Sequence, residues 1–91
     1  MVKKMMVNRK ANKMVVRVNE VVDFLEYAVD NKALISSEIV LIFVNEYENY
    51  LAFSKKYSHL IKPNTLCELD YNFDVAMELI NKLENNELVI Y

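Results

Sequence analysis

The stretch Ser37–Leu60, SEIVLIFVNEYENYLAFSKKYSHL, decides the fold, and its first half reads two ways. Ile39-Val40-Leu41-Ile42-Phe43-Val44 has strand composition, because β-branched side chains pack well on a pleated surface. The wider period is helical. At 100° per residue, Ile39, Ile42, Phe43, Tyr47, Tyr50, Leu51, Phe53, Ser54, Tyr57 and Ile61 share one broad arc, with Asn45, Glu48, Asn49, Lys55, Lys56 and His59 opposite. Leu41 falls on the polar side and Glu46 on the apolar side. Ser37 suits an N-cap, and Glu38 suits the positive end of the helix dipole. The rival is a hairpin of Ile39–Val44 against Tyr50–Phe53. It lacks a turn glycine, whereas the helical period persists for about six turns. The reading is therefore one long amphipathic helix.

Working outward, the 91 residues make a single domain, 1–91, apolar enough for a compact core. The chain has no Gly and one Pro, so turns fall to Asn, Ser and Lys. Cys67, the only cysteine, excludes an internal disulfide and suits a reducing, cytoplasmic compartment. The longest apolar run is too short to span a bilayer, and no apolar signal segment follows Lys3 and Lys4, so no membrane role is expected.

Charge is unevenly placed. Residues 1–18 hold Lys3, Lys4, Arg9, Lys10, Lys13 and Arg17 with no acid, a net of +6. Residues 19–91 hold five Lys against thirteen acids, a net of −8. This divides the domain into a basic arm, 1–18, and an acidic body, 19–91. Alternation around Met14, Val16 and Val18 predicts an N-terminal β-hairpin, Val2–Val7 and Lys13–Val18, turned at Asn8–Asn12. The six cations are the candidate contacts for an anionic partner, since phosphate binding needs only flexible positive charge. Solvation, or docking of the arm on its own acidic body, accounts for them equally well.

A first main helix, from Asn19 or Asp23 to about Asn31, buries Val21, Val22, Leu25, Ala28 and Val29 and turns its acids to water. After the long helix, Pro63 is a firm break. Thr65 to Glu68 reads as a capping box opening a short helix to Leu69. Asp70-Tyr71-Asn72 reads as a turn, Phe73 to Asn85 as the last main helix, and Leu88–Tyr91 as a strand paired with the N-terminal hairpin.

Thr65-Leu-Cys-Glu-Leu followed by Val75-Ala-Met-Glu-Leu-Ile-Asn-Lys-Leu-Glu-Asn-Asn-Glu-Leu-Val-Ile resembles the helix-turn-helix part of winged-helix proteins. Leu83-Glu84 and Leu88-Val89 stand where that family ends its third helix and enters its wing. The chain departs from the pattern at Asn86, where Gly is usual, and it ends before a second wing strand. Asp74, Glu78 and Glu84 on the recognition helix would repel phosphates. The resemblance therefore implies a degenerate winged-helix domain reused for protein contact, with any DNA contact made by residues 3–17.

One His and one Cys are too few for a zinc site, and without Gly there is no phosphate-cradling loop. His59 and Cys67 lack a third, orienting group for nucleophilic catalysis. The expectation is a non-enzymatic protein with no cofactor, no metal and no small-molecule substrate. The apolar arc of the long helix exceeds what one neighbouring helix buries, which points to a homodimer or protein partner held by Phe43, Tyr47, Tyr50, Phe53 and Tyr57.

The architecture expected is α+β and mainly helical: an N-terminal β-hairpin and a C-terminal strand around three main helices and one short helix. The function expected is a small regulatory or adaptor protein acting through protein–protein interaction. The alternatives are a nucleic-acid-binding regulator using the basic arm, and a structural subunit of a larger assembly. The acidic body permits mimicry of nucleic acid without requiring it.

Overall fold

The computed structural model describes residues 2–91. Three helices dominate: α1, Val2–Asn31; α2, Ser37–Tyr57; and α3, Pro63–Asn85. Two strands of two residues each, β1 (Ile35–Ser36) and β2 (Val89–Ile90), pair in parallel with Ile35 opposite Val89. The architecture is therefore mainly helical and not the α+β arrangement expected.

The largest correction concerns the N-terminus. Residues 2–18 form no hairpin; they are the first half of the 30-residue helix α1. Val7, Ala11, Val18, Val22, Leu25 and Ala28 recur at helical spacing, and all are buried. The strand-like alternation of valines is a local preference, and burial along a 45 Å helix overrides it (about 1.5 Å per residue). The presumed turn residue Asn8 has a different task. Its amide donates to the Lys4 carbonyl at 2.9 Å and to the Leu60 carbonyl at 2.8 Å, and its oxygen accepts from the Lys62 N–H at 3.0 Å. Asn8 thus clasps the α2–α3 connection to α1.

The long-helix reading of α2 holds and the hairpin alternative falls. The cap is Ser36 rather than Ser37; its hydroxyl accepts from the Glu38 N–H at 3.1 Å. The two residues that fit the wheel badly are now explained. Glu46 reaches across to Arg17, and Leu41 is left 61% exposed.

The short helix and the turn at Asp70–Asn72 are absent. α3 runs unbroken through both, because Leu69, Phe73, Ala76, Ile80 and Leu83 form one continuous buried stripe. Pro63 starts this helix instead of merely stopping the previous one, since its missing N–H costs nothing at the first position. Lys62 is the cap and makes no side-chain cap bond, so the Thr65–Glu68 capping box does not form. With no turn between Thr65 and Asn85, the structure has no helix-turn-helix there, and the degenerate winged-helix architecture is set aside.

Helices α1 and α3 run parallel and lie close along their length, with α2 antiparallel to both. Ala11, Ala28 and Ala76 are fully buried, and their short side chains suit the close approach of α1 to α3. Nearby, Asn72 donates to Asn19 across the pair at 2.8 Å. Where α2 meets α3, aromatic rings fill the space. Phe73 sits 4.7 Å from Tyr50, 5.7 Å from Phe43 and 5.5 Å from Tyr47, centroid to centroid.

Both α1 and α3 end alike. Lys32 (φ 52°) and Glu87 (φ 59°) adopt the left-handed conformation. The Ala33 N–H reaches the Ala28 carbonyl and the Lys32 N–H the Val29 carbonyl; Leu88 to Leu83 and Glu87 to Glu84 repeat the pattern. These are Schellman endings made without glycine. Each leads directly into a strand, so the terminal strand pairs with β1 and not with an N-terminal hairpin.

Candidate interaction surface

The buried stripe of α1 is flanked by Lys3, Lys10 and Arg17, seven residues apart and therefore in line along the helix. This row faces α2. The Lys3 ammonium lies 5.4 Å from the Tyr57 ring centroid and that of Lys10 4.9 Å from the Phe53 centroid. Arg17 forks onto Glu46, with Nε at 3.1 Å and Nη2 at 3.0 Å from Oε1. Hydrogen bonding to Glu46 and its charge hold the Arg17 pKa above its ordinary value. Three of the six candidate cations are thus engaged within the chain.

The other three, Lys4, Arg9 and Lys13, lie together around an open groove of about 700 Å³. Lys62 joins them from the α2–α3 connection, and Met5 and Val16 supply apolar floor. The sequence did not place Lys62 in this group, because it requires the Asn8 clasp. A second groove, about 680 Å³, runs between α1 and α2 past Lys10, Arg17, Glu46 and Phe53.

The aromatic set on α2 is placed differently from expectation. Phe43, Tyr50 and Phe53 are buried within the chain, and Tyr47 and Tyr57 are half-buried. Phe43 and Tyr50 pack on Phe73 of α3 and Phe53 lies beneath Lys10 of α1, so these three are occupied within the chain, whereas Ile39, Ile42 and Leu51 of the same arc stay exposed. The Tyr50 hydroxyl donates to the Asp70 carboxylate; burial first, then this bond, raises the Tyr50 pKa well above the ordinary phenol range.

Exposed apolar side chains lie elsewhere. Val2, Met5, Met6, Val16, Phe24 and Tyr27 stand on the outward side of α1, and Ile39, Leu41, Ile42 and Leu51 on the flanks of α2. Sequence reasoning missed the α1 face because a hairpin removes its period. The signal was the seven-residue spacing of Val2, Arg9 and Val16, which only a continuous helix aligns.

Helix α1 also concentrates the charge asymmetry. Its residues 2–18 hold six cations and no acid; residues 19–31 hold Glu20, Asp23, Glu26 and Asp30 and no cation. All four acids are exposed. The outward face is therefore basic at one end, acidic at the other, and studded with apolar side chains throughout.

Cys67 is exposed and unpaired, and His59 is exposed beyond the end of α2. Among the described residues no group of three or more His, Cys, Asp or Glu is placed to hold a metal ion. Among them, too, no helix is long and apolar enough to cross a membrane. The chain matches no protein-family model, no curated protein and no solved structure.

Proposed function

We propose that this is a small non-enzymatic regulatory or adaptor protein that acts by protein–protein contact through the outward face of α1. The observation that carries the reading is the row of large apolar side chains exposed there, Met5, Met6, Val16 and Tyr27 among them, interleaved with charges of both signs. Such a face resembles the apolar-with-polar-rim composition of protein interfaces more than it resembles a solvated helix. A cytoplasmic location fits a protein whose single thiol, Cys67, is exposed and free.

A second reading, nucleic-acid binding, is favoured by the convergence of Lys4, Arg9, Lys13 and Lys62 on one groove. Four cations so placed would contact phosphates without reading sequence. Against it stands the acidic second half of the same helix face, which a polyanion would meet within two turns of Lys13.

Sedimentation of the purified chain with a mixed-sequence DNA duplex, at low and at moderate salt, separates the two. The protein-contact reading expects no duplex complex at either salt. A complex formed at low salt and lost steeply as salt rises would overturn it in favour of the basic groove.

A further inference from the structure

We infer that the partner for the outward face of α1 is a second copy of the chain, docked antiparallel with its two-fold axis at Val16. The inference rests on the protein-contact reading above. Val16 is 60% exposed and sits at the middle of α1, two residues before the basic half gives way to the acidic half. Arg9 stands seven residues before it and Asp23 seven after; Met5 stands eleven before and Tyr27 eleven after. All four are exposed. Turning one copy about an axis through Val16 therefore brings Arg9 of each protomer to Asp23 of the other, and Met5 to Tyr27.

The complementarity depends on direction. A parallel pair would set cations against cations and acids against acids, and a flat polyanion would meet the acidic half. The antiparallel arrangement sets the basic half of each helix against the acidic half of the other and opposes Arg9 to Asp23 directly, which is how charged interfaces select register. A two-fold contact is self-complementary, and one sequence satisfies both sides at once. A single helix pair buries little, roughly 1,000 Å² in total, so the dimer is expected to be reversible and weakened by salt.

The test uses the full chain with Cys67→Ser, so that a new cysteine carries the only label. Nitroxide labels are placed at Val16→Cys or at Val2→Cys, both on exposed positions that leave the core intact. Concentration-dependent dimerisation in sedimentation is expected, with labels at position 16 within about 20 Å of one another across helices roughly 10 Å apart. Labels at position 2 are expected about 40 Å apart, fourteen residues from the axis on each side at about 1.5 Å per residue. Arg9→Glu and Asp23→Arg alone should each weaken the dimer roughly tenfold, and the double exchange should restore it. A monomer at every concentration overturns the inference. So does a dimer whose labels at position 2 lie as close as those at 16, or a double variant no tighter than the singles. None of these results touches the duplex experiment, so the protein-contact reading stands or falls separately.

Discussion

The hydroxyl of Tyr50, a residue with no exposed surface, donates to the carboxylate of Asp70 one helix away, and so fixes α2 to α3 at the centre of the aromatic cluster. Replacing Tyr50 with Phe keeps the ring on Phe73 and removes only this bond. The expected loss is about 1.5–3 kcal/mol, the range for a hydrogen bond to a charged acceptor, read by urea denaturation at neutral pH. The variant should also flatten the alkaline limb of stability. Because folding raises the Tyr50 pKa, the folded state holds that proton more tightly. Its contribution is complete below the free phenol pKa of about 10 and is lost as pH rises beyond it. A Phe variant as alkali-sensitive as the parent would remove Tyr50 from this role.

Asn8 serves three backbone groups from two elements, and two of those groups lie in the α2–α3 connection. Asn8→Ala leaves the Leu60 carbonyl and the Lys62 N–H without their partner. A destabilisation of about 1–2 kcal/mol is expected, with faster amide exchange at Lys62 as the local signature. Unchanged exchange there would mean that the loop is held by other contacts.

Lys32 and Glu87 hold positive φ where most helices place glycine. Exchanging Glu87 for Gly should raise stability by about 0.5–1 kcal/mol, since relief of the left-handed strain exceeds the extra freedom of the unfolded chain. Lys32→Gly should act alike, and the two should add because the sites share no partner. Thermal unfolding of the single and double variants reads this directly.

Ala76 is fully buried on the α3 stripe that meets the rest of the core. Ala76→Leu should push the helices apart and cost about 1–3 kcal/mol, whereas Ala76→Ser should cost less despite its polarity. Equal effects would indicate that volume is not the constraint at this contact.

What could be read from the chain follows from how far each signal had to reach. Helix α2 was legible because its period lies within one segment, although the cap falls at Ser36 and not at Ser37. The N-terminal half of α1 was not, because its valines favour a strand locally while the helix they build is buried largely against α3, more than fifty residues away. Asp70-Tyr71-Asn72 has the composition of a turn, and only the four-residue step from Leu69 to Phe73 reveals that the helix continues. The same distance effect governs the candidate surface. The six cations were visible, yet their division into Lys3, Lys10 and Arg17 turned to α2 and Lys4, Arg9 and Lys13 turned to solvent needs the helix. The stacking of Phe43, Tyr47 and Tyr50 around Phe73 is not legible in the sequence, because Phe73 lies more than twenty residues on and falls beside them only once α3 is continuous.

The pairing of Ile35 with Val89 joins points 54 residues apart, and the Asn19–Asn72 contact spans 53. The core therefore depends on contacts distant in sequence, and folding rate falls as such separations grow. Helix α1 leaves the ribosome long before the helix it packs against, with its valine stripe bare in the interval. Synthesis therefore passes through a stage in which α1 is made and its main partner α3 is not, and truncation before α3 would leave α1 with only its side contacts to α2, through Lys3, Lys10 and Arg17.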